Sequence, residues 1–113
     1  MAGNINQLMA INMEVVGAAT FNYTVTRSFE VVDIIATTGA GAAGGDTVTP
    51  SKAGVALGSA LAVAAASIVR YAGTLVDAQA TFLTGEVLRM VGNQATVNAS
   101  VSTLVIPTTW IAG

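Results

Sequence analysis

From Phe21 to Val31 the chain alternates without interruption. Phe21, Tyr23, Val25, Arg27, Phe29 and Val31 fall on one parity, and Asn22, Thr24, Thr26, Ser28 and Glu30 on the other. Successive side chains of an extended strand point to opposite faces, so this period of two dictates a half-buried β-strand and excludes an amphipathic helix, whose period is 3.6. The β-branched and aromatic residues suit a pleated surface. Arg27 is the exception on the apolar parity, and a charge there implies a bend, an edge or a partner carboxylate.

The same period recurs at both ends. Met9, Ile11, Met13 and Val15 alternate with Ala10, Asn12 and Glu14 before a break at Gly17-Ala18-Ala19. From Thr96 to Ile106, Val97, Ala99, Val101, Thr103 and Val105 alternate with Asn98, Ser100, Ser102 and Leu104, and Pro107 closes the run. Val31 to Ile35 continues the second strand as an apolar run. The glycines from Gly39 to Gly45, followed by Asp46, make a loop. Thr47-Val48-Thr49 reads as a short strand stopped by Pro50. Ala53 to Ala66 places Leu57, Leu61 and Ala64-Ala65 at helical spacing and is expected to form a short Ala-rich helix or helical turn, which Gly54 and Gly58 weaken. Ser67 to Ala72 returns to β character. Thr74 to Thr81 is one turn of helix or a loop across a sheet end, with Thr74 a candidate N-cap. Thr84-Gly85-Glu86 turns into Val87 to Val91, and Gly92-Asn93-Gln94 joins that strand to the last one as a hairpin. About seven to eight short strands between turn signals predict a mainly β protein, a β-sandwich or jelly roll. No internal repeat is visible, and residues 1–113 read as a single domain with short extensions at 1–7 and 108–113.

Histidine and cysteine are both absent, which removes imidazole bases, thiolate nucleophiles, disulfides and the usual zinc ligands together. Glu14, Glu30, Asp33, Asp46, Asp77 and Glu86 are spread without a motif, so no catalytic carboxylate pair is expected. Asp46 stands alone in its loop, where calcium would need several oxygen ligands. The glycine loop has neither a Walker-type ending nor a Gly-x-Gly-x-x-Gly turn, and Ser51-Lys52 lacks the Ser-x-x-Lys spacing that puts both side chains on one helix face. Lys52 reads as a solvated loop charge. No enzyme, metal, cofactor or small-molecule substrate is expected.

Charged residues make up 9% of the chain against about 25% in ordinary soluble domains, and 53% is hydrophobic. A net charge of −2 gives copies little mutual repulsion, which suits a component covered by other protein. The four basic residues Arg27, Lys52, Arg70 and Arg89 are scattered, so no nucleic-acid stripe is expected. The uncharged stretch from Ala53 to Val69 is short and rich in Ala, Gly and Ser, so a membrane span is not expected, nor do residues 1–12 look like a secretory signal. The matches Asn22-Tyr23-Thr24 and Asn98-Ala99-Ser100 to a glycosylation pattern are of the kind that recur by chance in a Thr- and Ser-rich chain. Assembly in the cytoplasm is the expectation.

The segments Ile68-Val69-Arg70-Tyr71-Ala72-Gly73-Thr74-Leu75-Val76-Asp77-Ala78-Gln79-Ala80-Thr81-Phe82, Gly85-Glu86-Val87-Leu88-Arg89-Met90 and Val101-Ser102-Thr103-Leu104-Val105-Ile106-Pro107 resemble small head-decoration, or capsid-cement, proteins of tailed bacteriophages. The likeness extends in outline over residues 5–107. The family's Gly-Asp turn stands here as Gly85-Glu86. The resemblance implies a homotrimeric sandwich or jelly-roll subunit on the outer surface of the virion. There it would bridge copies of the major capsid protein as a structural, head-stabilising part. Another virion component, such as a tail, fibre or minor coat subunit, has the same composition, and a carbohydrate-binding or hydrolytic β-sandwich is the remaining class.

Interface candidates follow from residue type. Trp110 and Ile111 are the apolar anchors of the C-terminal extension, and Met1 and Ile5 those of the N-terminal one. Val101 and Val105 belong to the strand from Thr96 to Ile106, which is expected to lie at an edge and add to a neighbour's sheet, as Met1 to Gln7 also could. At least one of Arg27, Arg70 and Arg89 is expected to meet Glu30, Asp77 or Glu86, because each arginine sits in a strand-like run.

Overall fold

The computed structural model describes residues 8–39, 42–63, 68–70 and 77–108. The elements in chain order are β1 (Met9–Val16), β2 (Thr20–Thr24), β3 (Phe29–Thr38), β4 (Thr47–Lys52), β5 (Val55–Ala56), β6 (Leu61–Ala62), β7 (Ile68–Arg70), α1 (Asp77–Ala80), β8 (Thr81–Phe82), β9 (Val87–Gly92) and β10 (Asn98–Pro107). They form two antiparallel five-stranded sheets. The first has the order β1-β10-β3-β7, with β8 also on β3; the second has the order β2-β9-β4-β5, with β6 also on β4. Six pairings, in four rungs, define the path: β1 with β10, β2 with β9, β3 with β7 and β8, and β4 with β5 and β6. The chain is thus one long ribbon folded back at β4/β5, whose two arms stay paired while successive rungs of the ribbon alternate between the sheets. That is jelly-roll connectivity, a form of the expected β-sandwich.

The alternation from Phe21 to Val31 belongs to two strands in different sheets. It breaks at Thr26-Arg27, a bend that carries the chain from the second sheet to the first and leaves Arg27 exposed, which is the bend its position implied. The apolar run Val31 to Ile35 contains a β-bulge: Val31 opposes Val105 and Asp33 opposes Leu104, so Val32 is the extra residue. The bulge shifts the inward parity from Phe29 and Val31 to Ile34, Ala36 and Thr38. Asp33 secures it, its carboxylate accepting from the Ile34 N–H at 2.9 Å.

β4 runs through Pro50 to Lys52, so the proline does not stop the strand. The Pro50 carbonyl accepts from the Leu57 N–H at 2.9 Å, which turns this residue's edge away from β9 and toward the gap between β5 and β6. A missing donor is harmless there. Ala53 and Gly54, at φ +52° and +83°, connect β4 to β5 as a two-residue type I′ turn. Within the segment expected as an Ala-rich helix over 53–66, Val55–Ala56 and Leu61–Ala62 instead pair with β4 as short strands, with bends at 57–59 between them. Alanine favours a helix only weakly, and the ladder to β4 overrides it. Residues 64–66 lie outside the described residues. The helical turn in the described chain is α1, inside the segment expected to be one turn of helix or a loop; the candidate cap Thr74 is outside the described residues.

The core lies between the sheets, with Val15, Ile34, Ala36, Phe82, Val101 and Val105 from the first facing Val48, Leu61, Leu88 and Met90 from the second. Phe29 and Phe82, paired across β3 and β8, pack with centroids 5.3 Å apart. The expected hairpin between the last two strands is not formed. β9 pairs with β2 and β4 and β10 with β1 and β3, so the turn at Gly92 to Thr96 crosses from one sheet to the other. Alternation gives each strand an inward face, and two such faces meet as well across a core as side by side. No helix among the described residues is long and apolar enough to cross a membrane.

Candidate interaction surface

β1 ends the first sheet, and among the described residues no strand pairs with its outer side. Its hydrogen-bonding direction follows from one bond, the Gly17 N–H to the Val97 carbonyl at 2.8 Å. Gly17 continues the register in which Val16 opposes Asn98, so odd-numbered residues of β1 exchange bonds with β10. Ala10, Asn12, Glu14 and Val16 therefore direct their N–H and C=O groups outward. The odd residues also point inward, where Val15 is buried and Ile11 and Met13 pack against the core.

The ends of this edge are apolar and exposed: Leu8 is 53%, Met9 45% and Val16 57% accessible. Edge strands are ordinarily blunted by lysine, proline, a bulge or brevity. β1 has none of these. Its one charge, Glu14, accepts from the Ser100 hydroxyl at 2.7 Å, and beside it Ser102 donates to the Asn12 amide oxygen at 2.7 Å. The far edges are made of β5 to β8, each two or three residues long.

Where the starts of β1 and β3 meet the end of β2, Met9, Ile11, Tyr23, Arg27 and Pro107 line a small open cleft. Its volume of about 50 Å³ is far below the ~300–1,000 Å³ of clefts that enclose a small ligand. It has room for a side chain. The outward side of the second sheet carries Thr20, Val91 and Thr49 in one cross-strand row and Asn22, Arg89, Ser51 and Ala56 in the next, where Ser51 is buried.

At the opposite end the glycine loop is held down. Asp46, buried, accepts from the Ala43 N–H at 2.9 Å and from the Thr96 hydroxyl at 2.7 Å. Asn93 accepts from the Thr47 N–H at 2.7 Å and donates to the Gly45 carbonyl at 2.9 Å. These bonds tie the loop to the β9–β10 turn. Lys52 is not a solvated loop charge: its ammonium donates to the Thr81 carbonyl at 2.7 Å and sits 5.3 Å from the centre of the Phe82 ring, closing one end of the core.

Of the sequence-derived interface candidates, Trp110, Ile111, Met1 and Ile5 lie outside the described residues, as do the other residues of 1–7. Val101 and Val105 are core residues, 1% and 0% accessible, because β10 lies between β1 and β3 and turns both side chains toward the second sheet. The expectation that Thr96 to Ile106 forms an edge is corrected on the same ground. Arg89 donates to the Asn22 amide oxygen at 2.9 Å, and Glu86 is turned back to the Leu83 N–H at 2.7 Å. The β1 edge went unrecognised although its strand is plain in the sequence. The only available signal is negative, the lack of lysine and proline from Met9 to Val16. No cluster of three or more acidic side chains able to hold a metal ion occurs among the described residues. No family model, curated protein or solved structure matches the chain.

Proposed function

We propose that this chain is a non-catalytic structural subunit of a virus particle. It would be a decoration or cement protein on the outside of an assembled bacteriophage head, self-associated and bridging major capsid proteins. One observation carries the reading beyond the resemblance: a long unblunted edge strand with exposed Leu8, Met9 and Val16, beside outward faces built mainly of small and β-branched residues. Such surfaces suit cover by another protein. Jelly rolls also build many viral shell and lectin domains, which is support by analogy of fold alone.

The mechanism is mass action: a subunit that binds only the closed shell stabilises that shell against opening. Exposed ion pairs contribute about 0–1 kcal/mol each, and the chain has four basic and six acidic residues. Attachment then rests on apolar area and strand-edge pairing. Purified particles washed at about 1 M salt, where the Debye length is ~3 Å, should keep the protein bound. Release in that wash, with retention at low salt, would refute the mode of attachment; particles that never carry the chain would refute the function.

A further inference from the structure

We propose that the β1 edge is a self-recognition surface, on which a second copy adds its own β1 antiparallel so that the two first sheets become one continuous sheet across a two-fold axis. This does not rest on the shell-binding reading. A two-fold pairing of identical strands is fixed by the residue at its centre, and the outward groups of Ala10, Asn12, Glu14 and Val16 supply its hydrogen bonds. Centring on Glu14 would set two carboxylates directly opposite each other, which is unfavourable. Centring on Met13 sets Asn12 against Glu14 of the second copy, twice by symmetry, and Ala10 against Val16.

In that register each contact is complementary. The Asn12 amide oxygen and one Glu14 oxygen are already occupied by Ser102 and Ser100, which leaves the Asn12 NH₂ to donate to the other Glu14 oxygen across the axis. Val16, exposed in the single chain, is covered by Ala10. Met9 lies against Gly17, and Ile11 against Val15, extending the core-facing side across the junction.

Light scattering and sedimentation on the full chain test this. The expected mass is twice that of the 11.3 kDa chain at concentrations of roughly tens of micromolar, where a modest interface populates. Asn12→Asp places like charges opposite each other at both symmetric contacts and should weaken the dimer about tenfold. Asn12→Lys should tighten it and make it salt-sensitive. Asn12→Asp combined with Glu14→Lys should restore it. Both positions are exposed, and thermal melts of each variant confirm that the fold is retained. A wild-type monomer, a trimer, or a dimer indifferent to all three variants would overturn the proposal while leaving the shell-binding reading to its own wash experiment.

Discussion

The Thr103 side chain is wholly buried between Ile11 of β1 and Ile34 of β3, and its hydroxyl has no hydrogen-bond partner among the described residues. An unsatisfied buried hydroxyl costs about 1–3 kcal/mol, and valine has the same branched shape without it. Thr103→Val should therefore stabilise the chain by about 1 kcal/mol, raising Tm by roughly 4 °C in calorimetry. Ala53 is a second residue at odds with its surroundings, since an L-residue at positive φ is strained and type I′ turns favour Asn-Gly. Ala53→Asn should add about 1 kcal/mol by the same measurement. Asp46→Ala acts in the opposite direction, leaving the Thr96 hydroxyl and the Ala43 N–H without their acceptor and lowering stability by about 2 kcal/mol in urea titration. The alternating pattern correctly put Thr103 on the inward parity of its strand. It carried no information that Asp46 would be buried, because the Thr96 hydroxyl that holds it lies fifty residues away in the chain.

At the scale of elements, local pattern and long-range partner separate cleanly. β1, β2, the start of β3 and β10 are recognisable from period two, because one buried face suffices to impose it, and β9 from the turns that flank it. Which strand lies beside which is a long-range property, and one point where it shows is the close approach of Gly17 and Gly92, where the turn after β1 meets the end of β9. A Cβ at Gly92 would collide with the Gly17 carbonyl oxygen, and the Gly92 N–H donates to the Ala19 carbonyl at 2.9 Å. Backbone cannot yield there as a flexible side chain would. Gly92→Ala should therefore cost about 2 kcal/mol or more, seen as a lower urea midpoint with an unchanged slope. In the sequence this glycine reads only as a turn residue. The β3 bulge is equally opaque, since Val31-Val32-Asp33-Ile34-Ile35 alternates poorly and nothing local marks Val32 as the unpaired residue. The helix expected over 53–66 is absent from 53–63 for the converse reason: alanine content favours it only weakly, and the hairpin turn Ala53-Gly54 and the pairing of Leu61 with Val48 decide.

For the molecule as a whole, the ribbon topology makes the chain ends structurally central. Met9 opposes Val105, so the pairing of β1 with β10 closes nearly the full length of the described chain, and β10 then fills the middle of the first sheet against β3. Loop closure over such separations must precede the contacts that offset it, which places all-β folds of this kind at the slow end of single-domain folding, in milliseconds to seconds. Refolding by dilution from urea, followed by Tyr and Trp fluorescence, should show relaxation in that range. The same topology denies stability to any N-terminal fragment. A chain ending at Thr96 retains every residue from β1 to β9 but removes the strand between β1 and β3, exposing both edges and the apolar side chains that Ala99, Val101 and Val105 cover. That fragment should show no cooperative thermal transition, whereas the full chain should unfold in one step. A fragment that melted cooperatively would place the folding unit in β1 to β9 and make β10 an addition to a preformed sandwich, contrary to the pairing of the two arms.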